Sequence, residues 1–318
     1  MMTARRPVIV DCDPGIDDAV ALLLAAAAPE LDLRAVTAAA GNVGLVHTER
    51  NARRVLTLAG REVPVYAGAE GPMFGPQVDA GEVHGEDGLL GLPVPEAAFP
   101  LREGKAWDVM IEESRRAAGK LEIIVTGPMT NLGIALSKDP ELAGRISQVT
   151  AMGGASDFGN TTPAAEFNIL ADPEAAELVL RSGVPVTLCG LDVTHQAYLT
   201  EEDIRELESL GTPQARFAAA VIWSGVDIHR QYGVPGSPMH DPCALMYALE
   251  PELFSSVRCW AGVECQGRVT RGRTVIDAYS DAKREANCRW VTAVEREAFV
   301  SSVIRRLASY GKDGQGEV

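Results

Sequence analysis

The sequence predicts an α/β protein: a mostly parallel, Rossmann-like central sheet with helices on both faces and a small antiparallel hairpin near the C-terminus. Three observations predict it. Short β-rich apolar runs alternate with segments of helical periodicity between residues 8 and 188, the pattern of a parallel sheet whose crossovers are helices. A cluster of acidic residues follows the first apolar run at once, where ligands gather in such sheets. Beyond residue 257 the alternation gives way to two extended runs around a turn.

In order, extended runs fall at residues 8–10, 33–38, 63–66, 123–126, 146–152 and 186–188, with helices expected at 18–28, 48–59, 107–118, 130–136 and 173–181. The apolar stretch at 19–28 is too short to span a bilayer and suits a core helix. Residues 243–249 read as a further apolar helix, 257–265 and 275–279 as a hairpin around the turn-like 267–272, and 296–309 as a final helix. Residues 68–105 are rich in Gly and Pro and lack periodicity. A loop of that length in a compact domain reads as a functional lid, and it carries His84. No repeat or linker divides the chain, so one domain is expected over residues 1–310, with a polar, glycine-rich tail at 311–318.

The 318 residues are 46% hydrophobic and 23% charged, enough for a large core. A net charge of −15 and a pI near 4.8 disfavour nucleic acid as a partner, and a polyphosphate would approach against the protein's field. A neutral small molecule fits better. The six cysteines, at 12, 189, 243, 259, 265 and 288, show no paired spacing and read as reduced thiols of a cytoplasmic protein. Arg5 and Arg6 meet Asp11 after only a short apolar run, which is no secretory signal, and no membrane partner is expected.

The run from Val8 to Asp18 places Asp11, Asp13, Asp17 and Asp18 directly after the first extended segment, around the turn-forming Pro14 and Gly15. No Lys or Arg lies between Pro7 and Glu30 to neutralise them. Capping of the following helix explains one or two of these carboxylates, Asp17 for instance, but not four. Hard oxygen ligands of this kind suit calcium or magnesium.

Two further clusters carry chemistry. Met152-Gly153-Gly154, Gly159-Asn160 and Glu166-Phe167-Asn168 follow the extended run at 146–152, and amides with a carboxylate beyond a strand end suit the hydroxyls of a sugar. Met239-His240-Asp241-Pro242 precedes an apolar helix and offers a proton donor and one more hard ligand. Asp241 as a helix cap with Pro242 at the first helical position accounts for the same residues, and the two roles are compatible.

Together these elements resemble the inosine-uridine preferring nucleoside hydrolase family, from about Val8 to Phe299. The opening DCDPGIDDAVALLLA is similar to the family signature almost residue for residue. Further matches are Gly41-Asn42-Val43 with Asn51-Ala52, the VHGEDGL loop, Thr126-Gly127-Pro128 with Thr130-Asn131-Leu132, the GN and EFN pair, and HDP. The resemblance implies hydrolysis of the N-glycosidic bond of ribonucleosides, with Ca2+ held by Asp13, Asp18, the main-chain carbonyl of Thr126 and Asp241 and completed by the ribose 2′ and 3′ hydroxyls. It also implies Asp13 as general base toward a water beside the ion, and an oxocarbenium-like transition state. Asp17, Asn42 and Asn168 would hold the 2′ and 3′ hydroxyls, Asn160 and Glu166 the 5′ side, while Met152 and Phe167 shape the pocket. A homo-oligomer is expected, since dimers and tetramers both occur in the family.

For the departing base, His240 is the first candidate to assist and His84 the second. A histidine in so acidic a site is expected to hold its proton. In the family, the segment before His240 supplies contacts to the base. Some members carry two tyrosines one helical turn apart there, and this chain instead has Trp223, Ser224, Asp227, Ile228, His229, Gln231 and Tyr232. Ser224 and Tyr232 on one helical face lean toward a pyrimidine pocket, while helix geometry alone also permits Trp223 to serve as packing. Two rival readings remain. A haloacid-dehalogenase-like phosphohydrolase also places two aspartates one residue apart after its first strand, but it needs a lysine in a motif, and the lysines here, 105, 120, 138, 283 and 312, supply none. A non-catalytic nucleoside or sugar binder would be favoured by loss of Asp13, which is present.

Overall fold

Strand β1 (Arg6–Cys12) lies inside the sheet, flanked on one side by β2 (Leu31–Ala38) and on the other by β4 (Leu121–Val125), parallel to both. The computed structural model describes residues 5–230, 233–278 and 284–311. The chain first winds outward through α1 (Ile16–Ala27), β2, α2 (Leu45–Leu58) and β3 (Val65–Ala67). After the helical turn α3 (Gly81–His84) and helix α4 (Ala106–Arg116) it returns to β4 and winds the other way through α5 (Thr130–Lys138), β5 (Ile146–Met152), α6 (Phe167–Ala171), α7 (Pro173–Arg181) and β6 (Val186–Cys189). The strand order therefore reverses between β1 and β4. A crevice opens there at the carboxyl ends of the strands, which is where ligands bind in open α/β sheets.

After β6 come α8 (Leu191–Thr194), β7 (Tyr198–Leu199), α9 (Glu201–Ser209), α10 (Pro213–Arg230), β8 (Ser237–Pro238) and α11 (His240–Leu249), then β9 (Phe254–Val263), β10 (Thr274–Asp277), β11 (Cys288–Val294) and α12 (Arg296–Ala308). The nine-stranded sheet runs β10-β9-β11-β6-β5-β4-β1-β2-β3, and β7 pairs with β8 as a separate antiparallel ribbon. The expected hairpin exists as β9 and β10, antiparallel. It is not an appendage: β11 pairs antiparallel with β9 and parallel with β6, which welds the hairpin to the main sheet. The exposed Arg289 and Thr292 break the apolar pattern of β11 and mask it in the sequence. The end of the expected run 275–279 and tail residues 312–318 lie outside the described residues.

Side-chain alternation along β1 builds both layers. Val8 and Val10 face a core with Leu23 of α1, Leu56 of α2, Ile222 of α10, Leu245 of α11 and Phe299 of α12. Ile9 faces the other core, with Met110 of α4, Leu132 of α5 and Val179 of α7. Helix α1 is apolar on nearly every side because α2, α10, α11 and α12 all pack on it. Helix α9 is not among the elements expected from the sequence, and α10 is expected only through the helical face given to Ser224 and Tyr232. For α9 a signal is present: Thr200 and Asp203 form a reciprocal capping box, with Thr200 N donating to Asp203 Oδ2 at 2.8 Å and Asp203 N to Thr200 Oγ1 at 3.3 Å.

Candidate active site

The turn after β1 places its carboxylates on different sides of the sheet. Asp11 shares the face of Ile9 and points away from the crevice, where Oδ1 accepts from Thr37 Oγ1 at 2.6 Å and Asn131 Nδ2 at 2.8 Å. It is fully buried, and burial pushes its pKa up to about 7. The four-carboxylate reading therefore loses Asp11 and gains Asp241 from α11. Carboxylate oxygens of Asp17, Asp18 and Asp241 lie within 4.8 Å of one another. Asp18, not Asp17, is the residue that caps α1, with Oδ2 accepting from Gly15 N at 3.1 Å. Asp241 caps nothing, because α11 begins at His240 with Met239 as its cap residue.

Asp13 lies beneath this group, fully buried, with Oδ2 accepting from the amide of Asn42 at 2.6 Å. Its Oδ1 has no partner among the described residues. The backbone is bare around it: a Cβ at Gly41 would lie 2.0 Å from Asp13 Oδ2, and one at Gly127 2.3 Å from Oδ1. Burial, followed by the charge of Asp18, pushes Asp13 well above the usual carboxylate range; burial likewise raises Asp241, and it takes Asp18 to about 6. An orphaned buried oxygen beside three converging carboxylates fits a hard divalent cation, which would relieve this repulsion.

Two side-chain amides, of Asn42 and Asn168, and the hydroxyl of Thr126 brace the group. Asn42 Nδ2 donates to Asp13 O at 3.2 Å and Asp18 Oδ2 at 3.1 Å, while Thr126 Oγ1 donates to Asp18 Oδ1 at 2.7 Å. The carbonyl of Thr126 accepts from Asn168 Nδ2 at 2.8 Å, which leaves one of its two lone pairs for another partner. Asn168 also reaches Met152 O at 3.3 Å. Glu166 caps α6: Oε1 accepts from Asn168 N at 2.9 Å, and Oε2 from Gly154 N at 2.9 Å and Ile169 N at 3.1 Å. Burial raises its pKa to about 7 against the pull of those amides. Asn160 stands exposed at the rim, its Oδ1 accepting from Phe167 N at 2.9 Å.

Above the carboxylates lies a cavity of about 210 Å³. Of the residues singled out in the sequence, it is lined by Asp17, Asn42, His84, Thr126, Met152, Asn160, Glu166, Phe167, Asn168, His240 and Asp241. Tyr232 lies outside the described residues. From α10 the wall consists of Val221, Ile222, Gly225, Ile228 and His229. Ser224 is not part of it, and its hydroxyl turns back to Val221 O at 2.6 Å, so the face expected to read the base is displaced by one position along the helix. Trp223 packs beneath the guanidinium of Arg205.

For both histidines desolvation is the largest influence on the pKa, and it acts downward. His84 Nδ1 accepts from the amide of Ile16 at 3.1 Å, and burial lowers its pKa although Asp17 opposes this. His240 is half-buried, with Nδ1 2.8 Å from Thr194 Oγ1, and desolvation followed by His229, His195 and His84 pushes its pKa well down. Desolvation outweighs the acidic surroundings. The Thr130-Asn131 pair serves the lid: Asn131 joins Asp11 to Ala69 N, and Thr130 meets Met73 N on the carboxylate of Asp172.

The family description inosine-uridine preferring nucleoside hydrolase matches residues 8–301. The chain belongs to that family. It is 45% identical over 308 residues to the pyrimidine-specific ribonucleoside hydrolase RihA of Photobacterium profundum, covering 96% of this chain and 99% of the relative, and 44% identical to the Escherichia coli protein of the same name with the same coverage. Among solved structures, the purine-preferring ribonucleoside hydrolase from Gardnerella vaginalis superposes with a TM-score of 0.90 at 30% identity, covering 97% of this chain and all of that one. A plant nucleoside hydrolase, PpNRh1, gives 0.89 at 31% identity, covering 96% of this chain and all of that one. The protein is thus a ribonucleoside hydrolase that cleaves an N-glycosyl bond, and the phosphohydrolase and non-catalytic readings fall away.

Proposed function

We propose that this nucleoside hydrolase is calcium-dependent, uses Asp13 as general base and prefers pyrimidine ribonucleosides. The buried, unpartnered Oδ1 of Asp13 carries the reading, since such an oxygen needs either a cation or a proton to accept. Asp13, Asp18, Asp241 and the carbonyl of Thr126 would hold the ion, with Asp17 close enough to join. When bound, calcium would neutralise the cluster and supply Lewis acidity toward a water and the sugar diol.

The remaining work falls to side chains. Asp13 takes the proton of the water that attacks C1′. Asp17, Asn42 and Asn168 face the 2′ and 3′ hydroxyls, and Asn160, with its amide nitrogen at the rim, faces the 5′ side. Glu166 has spent three of about four lone-pair sites on backbone amides, which leaves one for a hydroxyl. Positive charge developing on the flattening ribose is stabilised by the same carboxylates. His240 donates a hydrogen bond to the departing base as negative charge grows on it. The pyrimidine preference rests on the pyrimidine-specific relatives. The test is Asp13→Ala assayed on uridine. Loss of uracil release by about a thousandfold or more, with the fold and nucleoside binding intact, is expected; near-normal kcat removes Asp13 as base.

A further inference from the structure

We infer that His229 reads the nucleobase: its Nε2 acts as a lone-pair acceptor for an N–H on the base edge, N3–H in the case of uridine. The inference rests on the base-releasing reading above and names the residue that would give it selectivity.

The tautomer follows from the backbone. His229 Nδ1 lies 2.8 Å from the carbonyl oxygen of Gly225, and a carbonyl can only accept. Nδ1 therefore carries a proton, and in the tautomer this contact selects Nε2 keeps its lone pair. His229 lines the cavity and is the one polar side chain that α10 contributes to it among the described residues. Its neighbours on that helix, Val221, Ile222 and Ile228, are apolar, so among the described residues of α10 a base N–H finds no other side-chain acceptor. An N–H donor desolvated against such a wall without a partner is costly.

His84 has the opposite polarity for the same kind of reason. The amide of Ile16 can only donate, so Nδ1 of His84 accepts and its Nε2 carries the proton. His229 approaches His240 to 5.6 Å between ring centroids. The cavity thus contains a fixed acceptor and a fixed donor around the residue facing the leaving group. Uracil offers the complementary pair side by side, N3–H and a ring carbonyl. Gly225 contributes twice: its carbonyl fixes the His229 ring, and its missing side chain admits Ser237, whose Oγ would lie 2.3 Å from a Cβ there.

The test compares uridine, 3-methyluridine and p-nitrophenyl riboside on the calcium-loaded wild type and on His229→Ala, with circular dichroism confirming the fold. The wild type is expected to lose about tenfold in kcat/KM when N3–H is replaced by N-methyl. His229→Ala should lose a similar factor on uridine, bring uridine and 3-methyluridine together, and leave the nitrophenyl riboside, which has no N–H in its leaving group, within about twofold. Equal wild-type rates on uridine and 3-methyluridine overturn the assignment without any variant, as does an equal fall of His229→Ala on uridine and the nitrophenyl riboside. A wild type that releases neither uracil nor nitrophenolate would overturn the underlying reading as well, whereas an active wild type indifferent to His229 overturns this inference alone.

Discussion

The main-chain amide of Ile16 donates to Nδ1 of His84 at 3.1 Å, joining the first turn of α1 to a residue 68 positions away in the long Gly- and Pro-rich segment. One of the orphan amides of a helix start is satisfied from the lid, so the segment that closes the cavity is fixed to the turn that bears the carboxylates. Gly15 makes room for this contact, since a Cβ there would lie 2.3 Å from His84 Nδ1. Its φ of −97° is open to any residue, so glycine is required here for space and not for a special backbone turn.

His84→Ala leaves the buried Ile16 amide without its acceptor. The expected cost is about 1–2 kcal/mol of stability with a raised KM for nucleosides, read from thermal denaturation and steady-state kinetics. His84→Asn, whose Oδ1 can stand where Nδ1 stood, should recover most of the stability; equal loss in both variants would show that the ring matters only as packing.

Asn131→Ala should be more damaging than its distance from the cavity suggests. It removes the donor to Asp11 Oδ1 and the acceptor for Ala69 N together, both buried, and is expected to lower stability by about 2 kcal/mol or more while loosening the root of the lid. Urea unfolding and limited proteolysis of residues 68–105 check both parts. Unchanged proteolysis would separate the network from the lid.

Much of this site is legible in the sequence, because a strand followed by DxDPGxDD has few physical uses. Three carboxylates converge, Asp17, Asp18 and Asp241, and one of them is not the one that proximity along the chain suggests. Period-two alternation puts Asp11 on the opposite face of β1 from Val8, Val10 and Cys12, beside Ile9, and the sequence alone carries that signal. The partner that replaces it, Asp241, comes from a strand-to-helix junction more than two hundred positions away, and only the motif suggests it. Two features are not legible. An expectation of protonated histidines weighs the nearby charges and neglects burial, which cannot be read from local sequence. The face of α10 that meets the cavity depends on its packing against α1 and α9, so helical spacing points to Ser224 where His229 stands.

His195, 5.7 Å from His240 between ring centroids, supplies a pH test. Burial, then His229, lowers its pKa, with Asp192 opposing. A histidine held neutral in the fold binds its proton more readily when unfolded, so its stabilising contribution is present above about pH 6.5 and is lost as the pH falls through that value toward the lowered pKa. Between about pH 7 and 5, His195→Gln should therefore lose less Tm than the wild type does. A parallel decline of the two would remove His195 from the acid response.

Calcium should raise Tm and EDTA should lower it, since the proposed ion would bind carboxylates that repel one another in its absence. The gain should shrink in Asp241→Asn. An unchanged Tm across chelation and repletion would leave the converging carboxylates without their cation.

The most direct measurement is chromatographic quantitation of free base released from uridine, cytidine, inosine, adenosine and guanosine by the purified protein, before and after EDTA treatment and again after calcium is restored. Uracil and cytosine release exceeding purine release, abolished by the chelator and recovered with calcium, is the predicted result. Release that EDTA leaves untouched, or purines cleaved faster than pyrimidines, would contradict it.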